Sequence, residues 1–420
     1  MTELKISNRI FAFLMMLIMW LCFCAPAFAK APEINSSSAL LIDMNSEEIL
    51  YQKGAHQEVL PSVSAKFMAI YTAINSQAEE GVTISGDWLD ELTNDMPRMG
   101  ISSGEKYTKK ELITILYLAD FYDIYICLAN HVGSSQKGFV NMMNANAKKL
   151  GMVSTHYKTI YGYGDDEEYT TPYDVYTLIK NLSKDPLFKE IIKISSYTVK
   201  PRGHRKEPLE IRQKLNINDP QSQWYISGSR FAKMDFNKQK GYSIVFSILR
   251  DNREILWLSF GSENGDACAT EAGEAGEYAF SDFKRVIYTK DEIKKLYKGE
   301  KNLYIDPTKD IYVTVPGDVE KSSLIATIQE ENRIATFKAV GNGVDFETEV
   351  SKVKPSGLRF VWEWLLKIIK WLLVLIIALI VIICILYIPL SFVAQKKAIK
   401  AREKREEKVR NLKEKMKENE

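Results

Sequence analysis

The stretch Pro61-Ser62-Val63-Ser64-Ala65-Lys66 opens an apolar run and brings hydroxyls and an amine within about one helical turn. On a helix, side chains three or four residues apart share a face. A lysine one turn after a hydroxyl can therefore reach it and take its proton. Ser62 stands four residues before Lys66 and meets that condition if the helix begins a residue early. Ser64 stands two before it and points to a different face. The position three before, Val63, has no nucleophilic atom. The histidines, at 56, 131, 156 and 204, form no i, i+4 pair and have no carboxylate spacing of a metal site, so no metal or cofactor is expected.

These residues need a helix to hold them, and apolar periodicity predicts one over 63–78, with others over 108–131, 135–150 and 171–183. SALLIDMNSEEILYQK alternates and breaks at Asn45-Ser46, the pattern of a hairpin. Segments 242–250 and 254–261 predict two more adjacent strands, joined at Arg250-Asp251-Asn252-Arg253. Strands at both ends with helices between predict an α+β domain. After a helical stretch around 275–297, LYIDPTKDIYVTVPG, SSLIATIQ and RIATFKAV predict a small all-β module within 302–353. Its short strands favour a spacer or interaction role.

The 420 residues are 46% hydrophobic and 26% charged, enough for a full core and a smaller second domain. A net charge of +2, with basic residues concentrated only at the C-terminus, gives no nucleic-acid-binding face. Lys5 and Arg9, the apolar run Ile10–Phe23 and Ala27-Phe28-Ala29 form a signal-peptide pattern, with cleavage after Ala29. The run is short for a spanning helix of about 20 residues, which disfavours an uncleaved anchor. Neither Cys22 nor Cys24 follows a lipobox-like small residue. Of the remaining cysteines, Cys384 lies in an apolar span, so Cys127–Cys268 is the one bridge that counting leaves open.

From Trp371 to Gln395 no residue is charged, which is long enough to cross a bilayer. A buried core helix is rarely apolar on every face for so long. Trp362, Trp364, Trp371, Lys367 and Lys370 make an interfacial approach, and the basic residues after the span predict a cytoplasmic tail. That tail reads as a solvated helix, either a stop-transfer signal or a partner-binding element. The expected organisation is a signal peptide (1–29), an α+β domain (30–297), a small β-domain (298–357), an interfacial segment (358–370), a transmembrane helix (371–393) and a basic tail (394–420).

In this order, the hairpin leading through Pro61 into a helix, then ANHVGSSQKGFVNMMNANAKKLGM, TIYGYGDD and YTTPYDVYTLIKNL, make the chain from about Ser37 to Val353 resemble one family. It is that of the low-molecular-mass penicillin-binding proteins, the D-alanyl-D-alanine carboxypeptidases of peptidase family S11. The resemblance implies a serine β-lactamase/transpeptidase-like fold, an antiparallel sheet flanked by helices. It also implies three motifs, S-x-x-K, S-x-N and K-T-G.

Aligned on the family, Lys66 matches the lysine of the first motif and Val63 falls on the nucleophile. The second motif, ahead of ANHVG, becomes Asp120-Phe121-Tyr122, so that a relay hydroxyl is replaced by a carboxylate and an amide by a phenol. The large Phe121 and Tyr122 are expected to pack the emptied cleft. Counting back from Gly241-Tyr242, the third motif becomes Lys233-Met234-Asp235, where only the lysine is kept. Asp235 would repel a substrate carboxylate. With Lys66 and Lys233 near Asp120 and Asp235, a salt-bridged and catalytically silent cleft is expected. The family's C-terminus usually lies on the membrane as an amphipathic helix; here it is expected to pass through.

Changes in all three motifs imply a cell-surface pseudoenzyme that binds a peptidoglycan stem peptide or a cell-envelope protein. The alternative is a working or weak carboxypeptidase using Ser62 and Lys66.

Overall fold

The structure, a computed structural model, describes residues 31–94, 96–163, 167–213, 215, 220–299 and 303–417. The expected signal segment and its cleavage point lie outside them.

The opening hairpin is formed by β1 (Ser38–Asp43) and β2 (Ile49–Lys53). Among the helices that follow as far as Leu150, the four of ten or more residues are α1 (Val63–Ile74), α2 (Lys109–Leu118), α3 (Tyr122–Gly133) and α4 (Gln136–Leu150). The helix expected over 108–131 is thus two, broken at Ala119-Asp120-Phe121. The break is imposed from outside the segment. Asp123 accepts the backbone N–H groups of Met99, Gly100 and Ile101 at 3.0, 2.8 and 3.2 Å, and Tyr122 N–H donates to Pro97 at 2.9 Å. These bonds stitch an irregular loop to the start of α3, and the chain leaves helical geometry just before it.

After α5 (Pro172–Leu182) come the two-stranded pair β3 (Ser196–Val199) and β4 (Leu209–Arg212), then β5 (Ser229–Asn237), β6 (Gly241–Arg250) and β7 (Arg253–Ser262). The β6–β7 hairpin falls where the sequence predicts it. Asp251 and Asn252 both have positive φ, +47° and +59°, as a two-residue turn matching strand twist requires. The main sheet is antiparallel with order β2-β1-β7-β6-β5, which leaves β5 on an edge.

Both faces of this sheet are buried, and the two-residue period of its strands divides the core. Leu40, Ile42, Val245, Leu256 and Leu258 face the helical layer with α1 to α5. Ala39, Leu41, Ile244, Phe246 and Trp257 face the other side, against α6 (Gly265–Ser281). Cys127 belongs to the first core and Cys268 to the second, and both are free thiols, so the sheet stands between them.

The helical stretch expected over 275–297 is interrupted. α6 ends at Ser281, and β8 (Phe283–Tyr288) pairs antiparallel with β9 (Ile311–Pro316). Two compact units result. The first runs to Tyr288 and takes in Ile311–Ile325 and Val340–Phe346; the second holds Thr289–Asp310, Ala326–Ala339 and the chain from Glu347 onward. Strand β9, expected in the small β-domain, therefore belongs with the first unit. The remaining β-module is the three-stranded sheet β10 (Ile325–Glu331), β11 (Ile334–Gly341) and β12 (Val344–Lys352).

In the second unit, α7 (Gly357–Lys417) is one continuous helix that runs through the stretches expected as interfacial segment, span and tail. Its stretch Phe360–Ile383, 24 residues whose most apolar 18 have a mean hydropathy of 2.9 with none of them buried, is a candidate membrane span that starts ahead of the expected 371. Glu363 lies near its start, where a bidentate pair with Arg333 at 2.7 and 2.8 Å offsets its charge.

Candidate functional site

Val63 is the first residue of α1 and is fully buried. The preceding Ser62 sits at φ +41°, ψ −120°, outside the regions that side-chain-bearing residues normally occupy. Its surroundings hold it there. Ser62 N–H donates to the Gly162 carbonyl at 3.0 Å. Gly162, at φ +77°, comes so close that a Cβ there would lie 2.6 Å from Ala65 Cβ and 2.9 Å from Ser62 N. Only glycine fits that contact. The Ser62 hydroxyl accepts from Ser243 Oγ at 3.0 Å and donates to Asp235 Oδ2 at 3.4 Å.

Lys66 is 1% exposed, and its Nζ forms an ion pair with Asp120 Oδ1. Asp120 lies in the break between α2 and α3, with its side chain 32% exposed. Phe121 packs against the helical core, while the Tyr122 ring stacks 4.4 Å from Tyr161, which in turn meets Tyr125 at 5.3 Å. Asp120, Phe121 and Tyr122 line a cleft of about 730 Å³ with Tyr163, Arg212 and Asp235. The aromatic residues expected to fill the cleft form its wall instead, and its volume remains open.

Lys233 and Asp235 project from edge strand β5, in register with Val245 and Ser243 of β6. Lys233 lines a pocket together with Asp120 and Asp235. Its Nζ reaches the Leu118 carbonyl at 3.4 Å and lies 5.3 Å from the Tyr117 ring centre. Asp235 is held by neutral donors: the Tyr163 hydroxyl, Ser62 Oγ and its neighbour's Phe236 N–H at 2.9 Å. Burial, and then the Asp235 charge, push the Tyr163 hydroxyl far above its usual range, so Tyr163 donates as a neutral phenol. The Phe236 N–H is an edge-strand donor of the kind that could bind a substrate peptide or a developing oxyanion, and the chain's own carboxylate takes it.

The structure thus places Asp120, Tyr122 and Asp235 on one cleft, reached by Lys66 through Asp120 and by Ser62 through Asp235, while Ser62 lines another pocket with Ser243 and Lys233 lines one with Asp120 and Asp235. Sequence reasoning gave no role to Gly162, Tyr163 or Ser243. The first two lie within TIYGYGDD, whose Gly-Tyr-Gly run was a visible signal; the alternation of β6 marks no special position for Ser243. In this arrangement the Lys66 amine is paired with one carboxylate and the Ser62 hydroxyl is directed at another, whereas acyl transfer needs an amine to take the hydroxyl proton.

The sequence profile of peptidase S11, D-alanyl-D-alanine carboxypeptidase, matches residues 26–263, more than half of the chain, and the chain belongs to this family. The D-alanyl-D-alanine carboxypeptidase DacF of Bacillus subtilis is 23% identical over 289 residues, 66% of this chain and 72% of that protein. DacA of Escherichia coli, also a D-alanyl-D-alanine carboxypeptidase, is 24% identical over 304 residues, 68% of this chain and 72% of its own. Penicillin binding protein 5 from Haemophilus influenzae superposes with a TM-score of 0.63 at 19% identity, covering 77% of this chain and 99% of that one. Penicillin binding protein 6B from Escherichia coli gives 0.60 at 18% identity, covering 78% and 98%. The fold is the α+β penicillin-binding-protein fold.

Proposed function

We propose that this S11-family chain is a cell-envelope protein that has given up acyl transfer, and that its cleft binds a peptidoglycan stem peptide or an envelope protein. One observation carries the reading: a buried valine begins α1 where the family resemblance calls for the nucleophile, and Lys66 is paired with Asp120. The retained scaffold supports binding, since an open cleft of about 730 Å³ persists with aromatic walls and ligand-accessible polar groups. The candidate span and the sequence signals at both ends support a signal-directed protein, with the S11 domain outside the cytoplasm and α7 crossing the membrane to a cytoplasmic tail. The relatives named above are carboxypeptidases, and the stem peptide is their class of substrate.

The competing activity needs Ser62 to be deprotonated by Lys66, yet the hydrogen-bond partners found for the Ser62 hydroxyl are Asp235 and Ser243. The test is D-alanine release from a pentapeptide ending in D-Ala-D-Ala. Neither the native chain nor Val63→Ser is expected to release it, because the repaired hydroxyl would still face a lysine neutralised by Asp120 and a cleft carrying Asp235. Groups that act as a unit recover little when one alone is restored. Release by the native chain would overturn the reading; release by Val63→Ser alone would show that Asp120 and Asp235 do not disable the cleft.

A further inference from the structure

The excess of basic over acidic residues in α7 ends where the electrostatic reach of a bilayer surface ends. Trp371–Gln395 carries no charge, and the next ten positions hold Lys396, Lys397, Lys400, Arg402, Lys404 and Arg405 against Glu403 alone. Beyond Arg405 the pattern changes at once: Glu406 and Glu407 follow, and positions 406–420 hold five acidic and five basic residues. The described side chains from Phe392 to Arg410 are exposed on a continuous helix.

Helical rise converts this sequence into distance. At about 1.5 Å per residue, Arg405 lies roughly 15 Å along the axis from Gln395. The polar headgroup layer is about 5–8 Å thick on each side of the hydrocarbon core. At physiological ionic strength the field of a charged surface then decays over about 8 Å. The two lengths together span the stretch with excess positive charge, and the balanced stretch begins where they end.

We infer that the 396–405 turns of α7 bind the headgroups of anionic lipids in the leaflet from which the tail emerges. The inference rests on the uncharged Trp371–Gln395 being the part of α7 that spans, with Phe360–Lys370 in the interface ahead of it. Each juxtamembrane cation contributes to such binding additively, with no folded pocket required. A helix that only needed to be stopped and oriented would not require six cations, nor their confinement to this layer. An acidic protein partner would place no limit at the headgroup distance, so charge complementarity favours the lipid surface.

The full chain, reconstituted in phosphatidylcholine vesicles with a minor share of spin-labelled lipid, provides the test. The immobilised fraction of spin-labelled phosphatidylglycerol is compared with that of spin-labelled phosphatidylcholine. A preference on the order of fivefold for phosphatidylglycerol is expected at low salt, fading as the screening length falls to about 3 Å at 1 M salt. Combining Lys396→Gln, Lys397→Gln, Lys400→Gln, Arg402→Gln, Lys404→Gln and Arg405→Gln should remove the preference, whereas Lys408→Gln, Arg410→Gln and Lys413→Gln together should leave most of it. A native chain with no preference would mark the cluster as an orientation signal only and overturn the inference; so would a preference that survives the sixfold variant. Extraction of the reconstituted chain by alkaline carbonate would instead show that α7 does not span, and would remove both the span and the lipid contact.

Discussion

The Asp43–Arg253 pair at one end of the sheet and the Lys66–Asp120 pair in the cleft each join a buried cation to a carboxylate, but their surroundings differ. Asp43 is fully buried and the Arg253 side chain is 7% exposed. Asp43 accepts from Arg253 Nε at 2.7 Å, from Thr314 Oγ1 at 2.8 Å and from the N–H groups of Asn45 and Ser46 at 2.9 and 3.3 Å. Arg253 also donates to the Ala279 and Phe283 carbonyls at 2.9 and 2.8 Å. That network ties the β1–β2 turn, β7, the end of α6 and β9 together. Lys66 is as deeply buried, yet among the described residues it is the only partner found for Asp120, whose side chain is one-third exposed to the cleft. A charge pair that builds the fold is tied on many sides, whereas the cleft pair joins a buried lysine at the heart of the site to a carboxylate that stays open to solvent.

This contrast predicts unequal responses to breaking each pair. Arg253→Leu leaves Asp43 buried without its cation and should cost about 3–5 kcal/mol, read as a fall in the denaturation midpoint of the purified full chain. A loss of under about 1 kcal/mol would mean that the network is not structural. Asp120→Ala should cost less, about 1–3 kcal/mol, because water entering from the cleft can solvate the Lys66 amine. An equal loss from the two substitutions would erase the distinction.

The same network contains Glu48, which accepts from Thr314 N–H. Burial raises its carboxyl from 4.5 to about 7, opposed by the hydrogen bonds from Thr314 and Ser46 and assisted by the Asp43 charge. Between those values the folded chain holds a proton that the unfolded chain has released. The stabilising contribution is therefore complete below 4.5 and lost as pH rises through about 7. With its partial exposure discounted, the change is about 1–2 kcal/mol. Denaturation midpoints compared at the two ends of this window should show the native chain losing more stability with rising pH than Glu48→Gln. Parallel pH profiles would contradict the assignment.

The fold was largely legible where local chemistry decided it. The alternation of β1 and β2, the Asp251-Asn252 turn and the apolar spacing of α1 and α4 each follow from side chains close in sequence. The break after α2 was not legible, since the apolar pattern runs through it and the bonds from Asp123 reach back to residues 99–101. Strand β8 was hidden likewise, because its pairing partner β9 lies beyond another helix. Within the site, the helical spacing from Val63 to Lys66 and the family resemblance placed Asp120 close enough to anticipate its pairing with Lys66. The partners of Asp235 come from positions 62 and 163, and those distant contacts leave no periodic trace.

The central claim is that the cleft has no competent nucleophile, and a penicillin tests it most directly, because an acylating serine would be left as a covalent adduct. The full chain incubated with a fluorescent penicillin and examined by intact-mass spectrometry is expected to keep its unmodified mass, with no fluorescent band in a denaturing gel. A one-to-one adduct that disappears in Ser62→Ala would contradict the account and make Ser62, despite its bond to Asp235, the working nucleophile.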